Sequence, residues 1–316
     1  MTILLIIYIL FIVLFIYSIY TFWKNKDKQN EDKQNEEKFS FPMIMNDFKH
    51  VRVYHNIDPH TIAEKYNIKQ TQFSKKMNHA KQEHYELGFV SKTENIDTNQ
   101  QIPRYIFQTW KTSILEKPLF ENTKKWFELN PEYSYFLFND THVENFIRIE
   151  FGERILRLYQ NLLVGALKAD VWRLMVMYCY GGIYFDIDSE LKEEHPFRTW
   201  GFGDKQVITG KGSDGAPHQW GLIYTPGHPI IKKSIERVLF QLYHQCSNKL
   251  LQIAYYPYVN TFLETPQFTE GWKNAMDGKV VFMNQENKKT MLSHESHWQT
   301  KTKFFKNTIS RLGDSI

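Results

Sequence analysis

The sequence has few cysteines, little net charge and only one long hydrophobic run. Its 316 residues include two cysteines, Cys179 and Cys246, which excludes a framework of disulfide bonds. The formal net charge of +4 gives no reason to expect nucleic-acid binding, and neither a basic helix nor zinc-knuckle spacing accompanies it. Hydrophobic residues make up 42% and aromatic residues 16% of the chain. That content is ample for the core of a globular domain of enzyme size.

The one long hydrophobic run lies at the N-terminus, where residues 3–23 carry no charge. A helix of that length spans the ~30 Å hydrocarbon core of a bilayer. Tyr17, Tyr20 and Trp23 cluster near its C-terminal end, as interfacial aromatic residues do. A cleaved signal peptide is the alternative, but the run lacks a positively charged segment before it and a small-x-small cleavage site. We therefore predict an uncleaved transmembrane anchor over residues 1–23.

The segments after this anchor differ in composition. Residues 24–38 alternate Lys with Asp, Glu, Gln and Asn and contain no apolar residue, which predicts a solvated, charged stem. Residues 39–100 have a mixed pattern with a short helix expected after Asp58, and we interpret them as a helical lead-in. Residues 101–316 are expected to form the main domain.

Strands alternate with helices from residue 101 onward. The pattern predicts strands over 105–110, 133–138, 183–188, 207–209 and 221–224, and helices over 120–129, 140–151, 162–178 and from Pro229. Such alternation is typical of an α/β fold with a mostly parallel sheet and helices on both faces. In a sheet of this kind, ligands bind at the carboxyl ends of the strands.

The most informative stretch is residues 181–188, in which two glycines precede an apolar strand that delivers two carboxylates. The side-chain period of a strand predicts Tyr184, Asp186 and Asp188 on one face. Two carboxylates there offer hard oxygen ligands to a divalent cation and leave positions open for phosphate. An isolated Asp-x-Asp is a weak signal, but at the end of an apolar strand the two charges are costly without a cation. The pattern therefore indicates a metal-dependent transferase that uses a nucleotide-sugar.

The preceding helix contains two charged residues on an otherwise apolar surface. Asp170 and Arg173 are three positions apart, so they lie on one face of the helix. In one interpretation they form a buried ion pair that holds the helix in place. In the other, Asp170 accepts hydrogen bonds from sugar hydroxyls and Arg173 donates to sugar or phosphate oxygens. The two interpretations are compatible.

These residues carry a resemblance to a known family. The pattern Ala169-Asp170-x-x-Arg173, followed by Tyr178-x-x-Gly181-Gly182-Ile183-Tyr184-x-Asp186-x-Asp188, resembles glycosyltransferase family 32. That family has a DXD sugar-binding region and includes yeast-type initiating mannosyltransferases, ceramide-linked mannosyltransferases and bacterial capsule transferases. Residues 102–111 are similar to its opening strand, with Phe107 in place of the usual His, and residues 130–140 to its second strand and turn. Downstream the similarity is looser, because Glu264 and Thr265 replace the usual Thr-Gly and residues 294–298 contain one extra position.

The resemblance implies a GT-A-like catalytic domain over residues 101–316 and a transfer that retains the anomeric configuration, so no protein nucleophile is expected. It implies a UDP- or GDP-linked sugar as donor, a glycan, lipid or protein as acceptor, and Mn²⁺ or Mg²⁺ as cofactor. The expected metal ligands are Asp186, Asp188 and His294. The expected donor-binding residues are Gln108, Thr109, Trp110, Asp170, Arg173, Tyr184, Ser296 and Trp298. Trp110 would stack on the nucleotide base, and a core position for it is an equal alternative.

A Gly-rich tract at residues 210–215 lacks the spacing of a phosphate-binding loop. It is expected to form a mobile loop beside the acceptor site. His218, Gln219 and Trp220, which follow the tract directly, are therefore the expected acceptor-binding residues.

The orientation of the anchor is open. Lys24, Lys26 and Lys28 follow the span while no charge precedes it, so the positive-inside rule favours a cytosolic main domain. Golgi-type members of the resembled family have a luminal catalytic domain instead. We expect the lumen of the ER or Golgi, and the sequon Asn139-Asp140-Thr141 would report that orientation.

Two other functions fit part of the pattern. Asp186-Ile187-Asp188 resembles the start of a phosphatase of the haloacid dehalogenase type, but that class requires Thr or Val where Glu190 stands. The second alternative is a catalytically inactive, membrane-tethered carbohydrate-binding protein. The altered Phe107 leaves it open, whereas the intact charged residues of the two central motifs argue against it.

Overall fold

A computed structural model describes residues 20, 21, 24, 39–71, 76–79, 82–94, 99–210, 216–245, 250–265 and 279–282. Almost all of the predicted anchor and stem lie outside these residues, as do His294, Ser296 and Trp298. Within the described ranges, no helix combines the length and the hydrophobicity that a membrane span requires.

The described chain contains helices and strands in alternation. In chain order the strands are β1 (Lys76–His79), β2 (Gln82–Glu86), β3 (Phe89–Val90), β4 (Tyr105–Thr109), β5 (Ile114–Glu116), β6 (Ser134–Phe138), β7 (Gly182–Phe185), β8 (Ser189–Leu191), β9 (Val207–Ile208), β10 (Gly221–Tyr224) and β11 (Val280–Phe282). The helices are α1 (Phe41–Lys49), α2 (Pro59–Lys65), α3 (Lys117–Glu128), α4 (Asp140–Phe151), α5 (Glu153–Gln160), α6 (Gly165–Tyr180), α7 (Pro229–His244) and α8 (Tyr255–Leu263). Short 3₁₀ helices cover Phe197–Thr199 and Leu250–Gln252.

A six-stranded sheet with the order β3-β6-β4-β7-β10-β9 lies at the centre. Strand β4 is parallel to both of its neighbours, β6 and β7. The outer pairs β3–β6, β7–β10 and β10–β9 are antiparallel. The prediction of a mostly parallel sheet is therefore wrong, and the sheet is mixed. The reason is that the described residues between β7 and β10 contain no α-helix of the kind that crosses over between parallel strands.

Apolar side chains cover both faces of this sheet. Phe107, Phe136 and Tyr184 lie on one face, in a core that includes α1, α2 and the helices from α4 to α8. Their neighbours Ile106 and Ile183 point to the other face and pack with α3. This alternation confirms the prediction of helices on both faces of a sheet.

Local sequence signals explain where several helices begin and end. Asn139 caps α4, with its side chain accepting from the His142 N–H at 2.9 Å. Gly181 ends α6 with a φ of +61°, and a Cβ there would lie 2.5 Å from the Pro226 nitrogen. Only glycine fits at that position. The helix therefore stops immediately before β7 and delivers that strand to the sheet centre.

Residues 39–71 contribute to the core on the face of the central sheet that carries Phe107 and Tyr184. Ile44 and Phe48 of α1 and Ile62 of α2 are buried there together with Tyr66. The remainder of the segment predicted as a helical lead-in contains strands: β1 and β2 form a small sheet with β5, and β3 is an edge strand of the central sheet. Elements on both sides of residue 100 thus share one sheet and one core.

Candidate active site

The candidate site lies at the carboxyl ends of the three parallel strands β4, β6 and β7. The chain continues from these ends into Trp110, Asn139 and Asp186 respectively. Parallel strands end at one edge of the sheet, which is the edge where α/β proteins bind ligands. The charged residues predicted from the sequence meet at the end of β7.

The two aspartates of the DXD motif are separated by a tight turn. Strand β7 ends at Phe185, and the Ser189 N–H donates to the Asp186 carbonyl at 2.9 Å. Residues 186–189 therefore form a β-turn, in which Asp186 is the first and Asp188 the third residue. The prediction that a continuous strand places both carboxylates on one face is wrong, because the strand's period ends at Phe185. What positions the second carboxylate is the conformation of the turn.

Arg173 links Asp170 of α6 to Asp186 of the DXD motif. Its Nη2 contacts Asp170 Oδ1, and it lies 3.4 Å from Asp186 Oδ1. Its Nη1 donates to the Gln219 carbonyl at 2.9 Å. The Arg173 side chain is only 4% exposed, against 15% for Asp170 and 27% for Asp186. The predicted ion pair within the helix therefore exists, and the same guanidinium also faces the DXD motif.

Tyr184 is buried behind the first aspartate. Its hydroxyl donates to Asp186 Oδ1 at 2.6 Å, and the Arg173 guanidinium lies 5.2 Å from the centre of its ring. Tyr184 and Arg173 thus face the same oxygen of Asp186.

Negative charge exceeds positive charge at this edge. Burial raises the pKa of Asp186 to about 6, an effect that Arg173 and Tyr184 offset in part and Asp188 reinforces. Burial also raises the pKa of Asp170, with Arg173 acting in the opposite direction. Although burial opposes it, the carboxylates of Asp186 and Asp170 raise the pKa of Arg173. A site with three carboxylates and one guanidinium favours a further cation.

The donor set suits a hard divalent cation in part. Asp186 and Asp188 supply carboxylate oxygens, the ligands that Mn²⁺ and Mg²⁺ prefer, and such ions keep positions for substrate phosphates. Within the described ranges, no group of three or more His, Cys, Asp or Glu side chains is arranged to hold a metal. The predicted third ligand, His294, lies outside those ranges.

The residues predicted to bind the acceptor lie directly beside Arg173 and Asp186. The Asp186 N–H donates to the Trp220 carbonyl at 2.9 Å, next to the Gln219 carbonyl that binds Arg173. The rings of His218 and Trp220 lie 4.7 Å apart. Residues 218–220 therefore form one wall of the site, with Gln219 buried and the two rings partly exposed.

The residues predicted from the opening strand have different environments. Gln108 is fully buried, and its amide bonds to protein groups rather than facing the edge of the sheet. Thr109 donates its hydroxyl to the Phe138 carbonyl at 2.9 Å, joining β4 to β6. Trp110 is half-buried against the core on the α3 face. Of the three, Trp110 has the position that suits contact with a base, since it directly follows β4 and retains exposed surface.

Asn122 is a site residue that the sequence reasoning missed. It lies on α3, is 5% exposed, and donates to the carbonyls of Ile187 and Ser189 within the DXD turn. A signal was present in the sequence: Asn122 shares the buried face of its helix with Leu119 and Trp126. A polar residue on such a face requires hydrogen-bond partners.

Two grooves lie elsewhere. One of about 560 Å³ runs between α7 and α8 past Phe240 and Tyr256, and one of about 520 Å³ lies beside α2 and includes His60. Neither is lined by Asp170, Arg173 or Asp186. The charged cluster at the end of β7, rather than either groove, carries the chemistry that the motifs predict.

Residues 117–205 match a family model described as "Glycosyltransferase sugar-binding region containing DXD motif". The matched segment contains Asp170, Arg173, Asp186 and Asp188, and it confirms the resemblance predicted from the sequence. The motifs and the site thus define a sugar-binding region of the DXD type.

Several similar proteins are yeast mannosyltransferases. The chain is 36% identical over 87 residues to inositol phosphoceramide mannosyltransferase 3 of Schizosaccharomyces pombe, covering 28% of this chain and 24% of that protein. It is 25% identical to the initiation-specific alpha-1,6-mannosyltransferase of Candida albicans, covering 45% of this chain and 44% of that protein. Among solved structures, "PaToxG Glycosyltransferase" aligns with a TM-score of 0.40 and 18% identity, over 53% of this chain and 70% of that chain. The chain thus spans about a quarter of the length of the first of these mannosyltransferases and less than half of the second.

Proposed function

We propose that the chain is a membrane-anchored, metal-dependent glycosyltransferase that moves a sugar from a UDP- or GDP-linked donor to a glycan, lipid or protein acceptor. The observation that supports this most is the buried Arg173 between Asp170 and Asp186, inside the segment that matches the DXD region. The printed names of the relatives make mannose the first sugar to test.

In this proposal Asp186 and Asp188, with His294, would hold Mn²⁺ or Mg²⁺. The bound ion would neutralise charge on the departing nucleoside diphosphate. The surplus of carboxylates over guanidinium groups at the end of β7 supports the assignment, because it is relieved when a cation binds.

Asp170 and Arg173 would orient the donor sugar. Asp170 Oδ1 faces Arg173, so we assign its second oxygen to a sugar hydroxyl. Arg173 is fixed by the Gln219 carbonyl and both carboxylates. Its principal task is then to hold Asp170 and Asp186 in place at a constant separation, a form of pre-organisation.

His218 and Trp220 would bind the acceptor. Their adjacent, partly exposed rings border the site on the β10 side, and aromatic faces suit the apolar faces of sugars. Retention of configuration requires attack from the side of the leaving group, and in that case the chain need supply no nucleophile. The anchor over residues 3–23 would place the site next to a membrane, with the luminal side as our expectation.

The test is donor hydrolysis by the full chain in detergent. Release of nucleotide is measured for a panel of GDP- and UDP-sugars, including GDP-mannose, in Mn²⁺ and again in EDTA. We expect one donor to be cleaved only with the metal, and the anomeric configuration of the transferred sugar, followed by NMR, to be retained. Asp186→Asn and Asp188→Asn should each lower the rate by about 100-fold or more.

A matched control is Asp204→Asn, which alters an exposed aspartate within the same matched segment and should leave the rate unchanged. Full activity of either DXD variant would refute the metal assignment. A folded chain that releases no nucleotide from any donor would instead favour the inactive, carbohydrate-binding alternative.

A further inference from the structure

The carbonyl groups of the DXD turn are held by side chains that do not belong to the motif. In most β-turns the outer carbonyls face water. Here the carbonyls of Phe185, Asp186, Ile187 and Ser189 all accept hydrogen bonds from buried donors. The main chain between the two aspartates is therefore fixed from inside the protein.

Asn122 of α3 provides the strongest of these contacts. Its Nδ2 donates to the Ile187 carbonyl at 3.0 Å and to the Ser189 carbonyl at 2.8 Å. Its Oδ1 has no hydrogen-bond partner in the described part of the chain. The reverse orientation of the amide would turn that oxygen toward two carbonyl oxygens, so the side chain is placed for donation to the turn.

Gln108 of β4 holds the other side of the turn. The β4–β7 ladder pairs Phe107 with Tyr184 as its last register pair. Beyond that point the Gln108 Nε2 lies 3.4 Å from both the Phe185 and the Asp186 carbonyl. Its Oε1 accepts from the Tyr135 hydroxyl at 2.8 Å, which sets the direction of the amide.

The contact to Ile187 determines the orientation of Asp188. The peptide between the second and third residues of a β-turn can flip, and the flip interconverts turn types I and II. Its carbonyl is that of Ile187, which Asn122 holds. A type II turn requires a positive φ at the third residue, whereas Asp188 is not among the residues with positive φ. Loss of Asn122 would remove the hydrogen bond that holds this carbonyl, and a positive φ at a non-glycine residue adds only a modest cost to the flip.

We infer that Asn122 and Gln108 are positioning residues for the DXD site. Their buried amides hold the backbone of the turn and thereby fix the relative orientation of the Asp186 and Asp188 carboxylates. This inference rests on the proposed function, since it assigns the two carboxylates to one cation. Contacts that orient metal ligands from outside the ligand set typically change metal affinity by about 10- to 100-fold when removed.

The test is direct Mn²⁺ binding to the full chain, measured by the EPR signal of free Mn²⁺ without any sugar donor. Asn122→Leu is compared with Asn130→Leu. Asn130 is likewise a buried asparagine, which donates to the Trp126 carbonyl and accepts from the Phe197 N–H, both at 2.6 Å. Both variants lose a buried amide, but only Asn122 touches the turn.

We expect Asn122→Leu to weaken Mn²⁺ binding by about 10-fold and Asn130→Leu to leave it within about twofold. Urea unfolding of both variants shows whether their loss of stability is comparable. Tyr135→Phe is a milder variant that removes only the hydroxyl holding Gln108, and it should weaken Mn²⁺ binding by about two- to threefold. It keeps the proposal testable if Asn122→Leu does not fold.

The variants separate this inference from the proposed function. Mn²⁺ binding that is lost in Asp186→Asn but unchanged in Asn122→Leu and Tyr135→Phe would overturn the positioning role and leave the proposed function intact. Equal weakening by Asn122→Leu and Asn130→Leu would also overturn it, because the effect would then follow stability alone. A wild-type chain that binds no Mn²⁺ would refute both.

Discussion

Removal of the Glu150 carboxylate should destabilise the fold more than any surface charge change. Glu150 lies on α4 with its side chain 2% exposed, and it pairs with Lys65. It also accepts hydrogen bonds from the hydroxyls of Tyr54 at 2.9 Å, of Tyr180 at 3.4 Å and of Tyr66. One buried carboxylate thus connects residues 39–71 to α4 and α6.

The magnitude follows from what the Glu150→Ala variant leaves behind. Breaking a buried ion pair by removing one partner costs about 3–5 kcal/mol. The remaining Lys65 is 25% exposed and can be hydrated in part, which favours the lower end. The Tyr66 hydroxyl stays buried but keeps its contact with Tyr180. We therefore expect a loss of about 3–4 kcal/mol in the free energy of unfolding.

Urea unfolding followed by circular dichroism measures this loss. For an m-value of about 3 kcal/mol/M, the midpoint should fall by about 1 M. The matched control is Glu153→Ala. Glu153 begins α5 and is the exposed ion-pair partner of Arg148, which lies near the end of α4. Its removal should change the free energy of unfolding by less than about 1 kcal/mol. An equally small change in Glu150→Ala would refute the view that this carboxylate joins residues 39–71 to the core.

Three further predictions concern the site, the pH dependence of stability and the domain boundary. Arg173→Ala should lower the rate of donor hydrolysis by about 100-fold or more, because it leaves Asp170 and Asp186 without the guanidinium that both contact. An unchanged rate together with an unchanged donor KM would contradict the role assigned to Arg173. Burial lowers the pKa of His228 to about 4, below the ~6.5 of a histidine in the unfolded chain. The neutral histidine therefore contributes its full stability above pH ~6.5, and the free energy of unfolding should fall by roughly 2 kcal/mol at pH 5. The His228→Asn variant can still cap α7. Between pH 7.5 and 5 its free energy of unfolding, measured in urea titrations, should fall by roughly 2 kcal/mol less than that of the wild type. An identical pH dependence in both proteins would exclude His228 as the source of the loss. Deletion of residues 1–38 should give a folded, active and soluble chain, whereas deletion of residues 1–71 should abolish the cooperative unfolding transition; a folded product of the longer deletion would show that the segment is dispensable.

Local signals in the sequence predicted individual elements better than their arrangement. The strand predicted over 221–224 has the bounds of β10, and the helix predicted over 140–151 has the bounds of α4. The direction of β10 was not predictable in the same way. A four-residue apolar strand has the same composition in a parallel and an antiparallel pair. The alternation of elements therefore predicts a mostly parallel sheet, whereas the strand pairing makes the sheet mixed.

The site shows the same division. A spacing of three on a helix predicted that Asp170 and Arg173 would meet, and they do. The spacing of two between Asp186 and Asp188 predicted a strand, but the chain turns after Phe185. A period of two has no meaning in a turn, and the contacts that make the turn come from α3 and β4, which are distant in sequence.

The sequence by itself therefore determined the residue types of the site, the helix that carries Asp170 and Arg173, and the match to a DXD sugar-binding region. These depend on local spacing and composition, which short-range sterics and hydrogen bonds translate directly into structure. Only the tertiary structure decided which groups face Asp186, that residues 39–71 belong to the core, and that Asn122 holds the turn. The contacts from Asn122 to Ile187 and from Tyr54 to Glu150 join residues 65 and 96 positions apart. Their formation depends on how the helices pack on the sheet rather than on any local pattern.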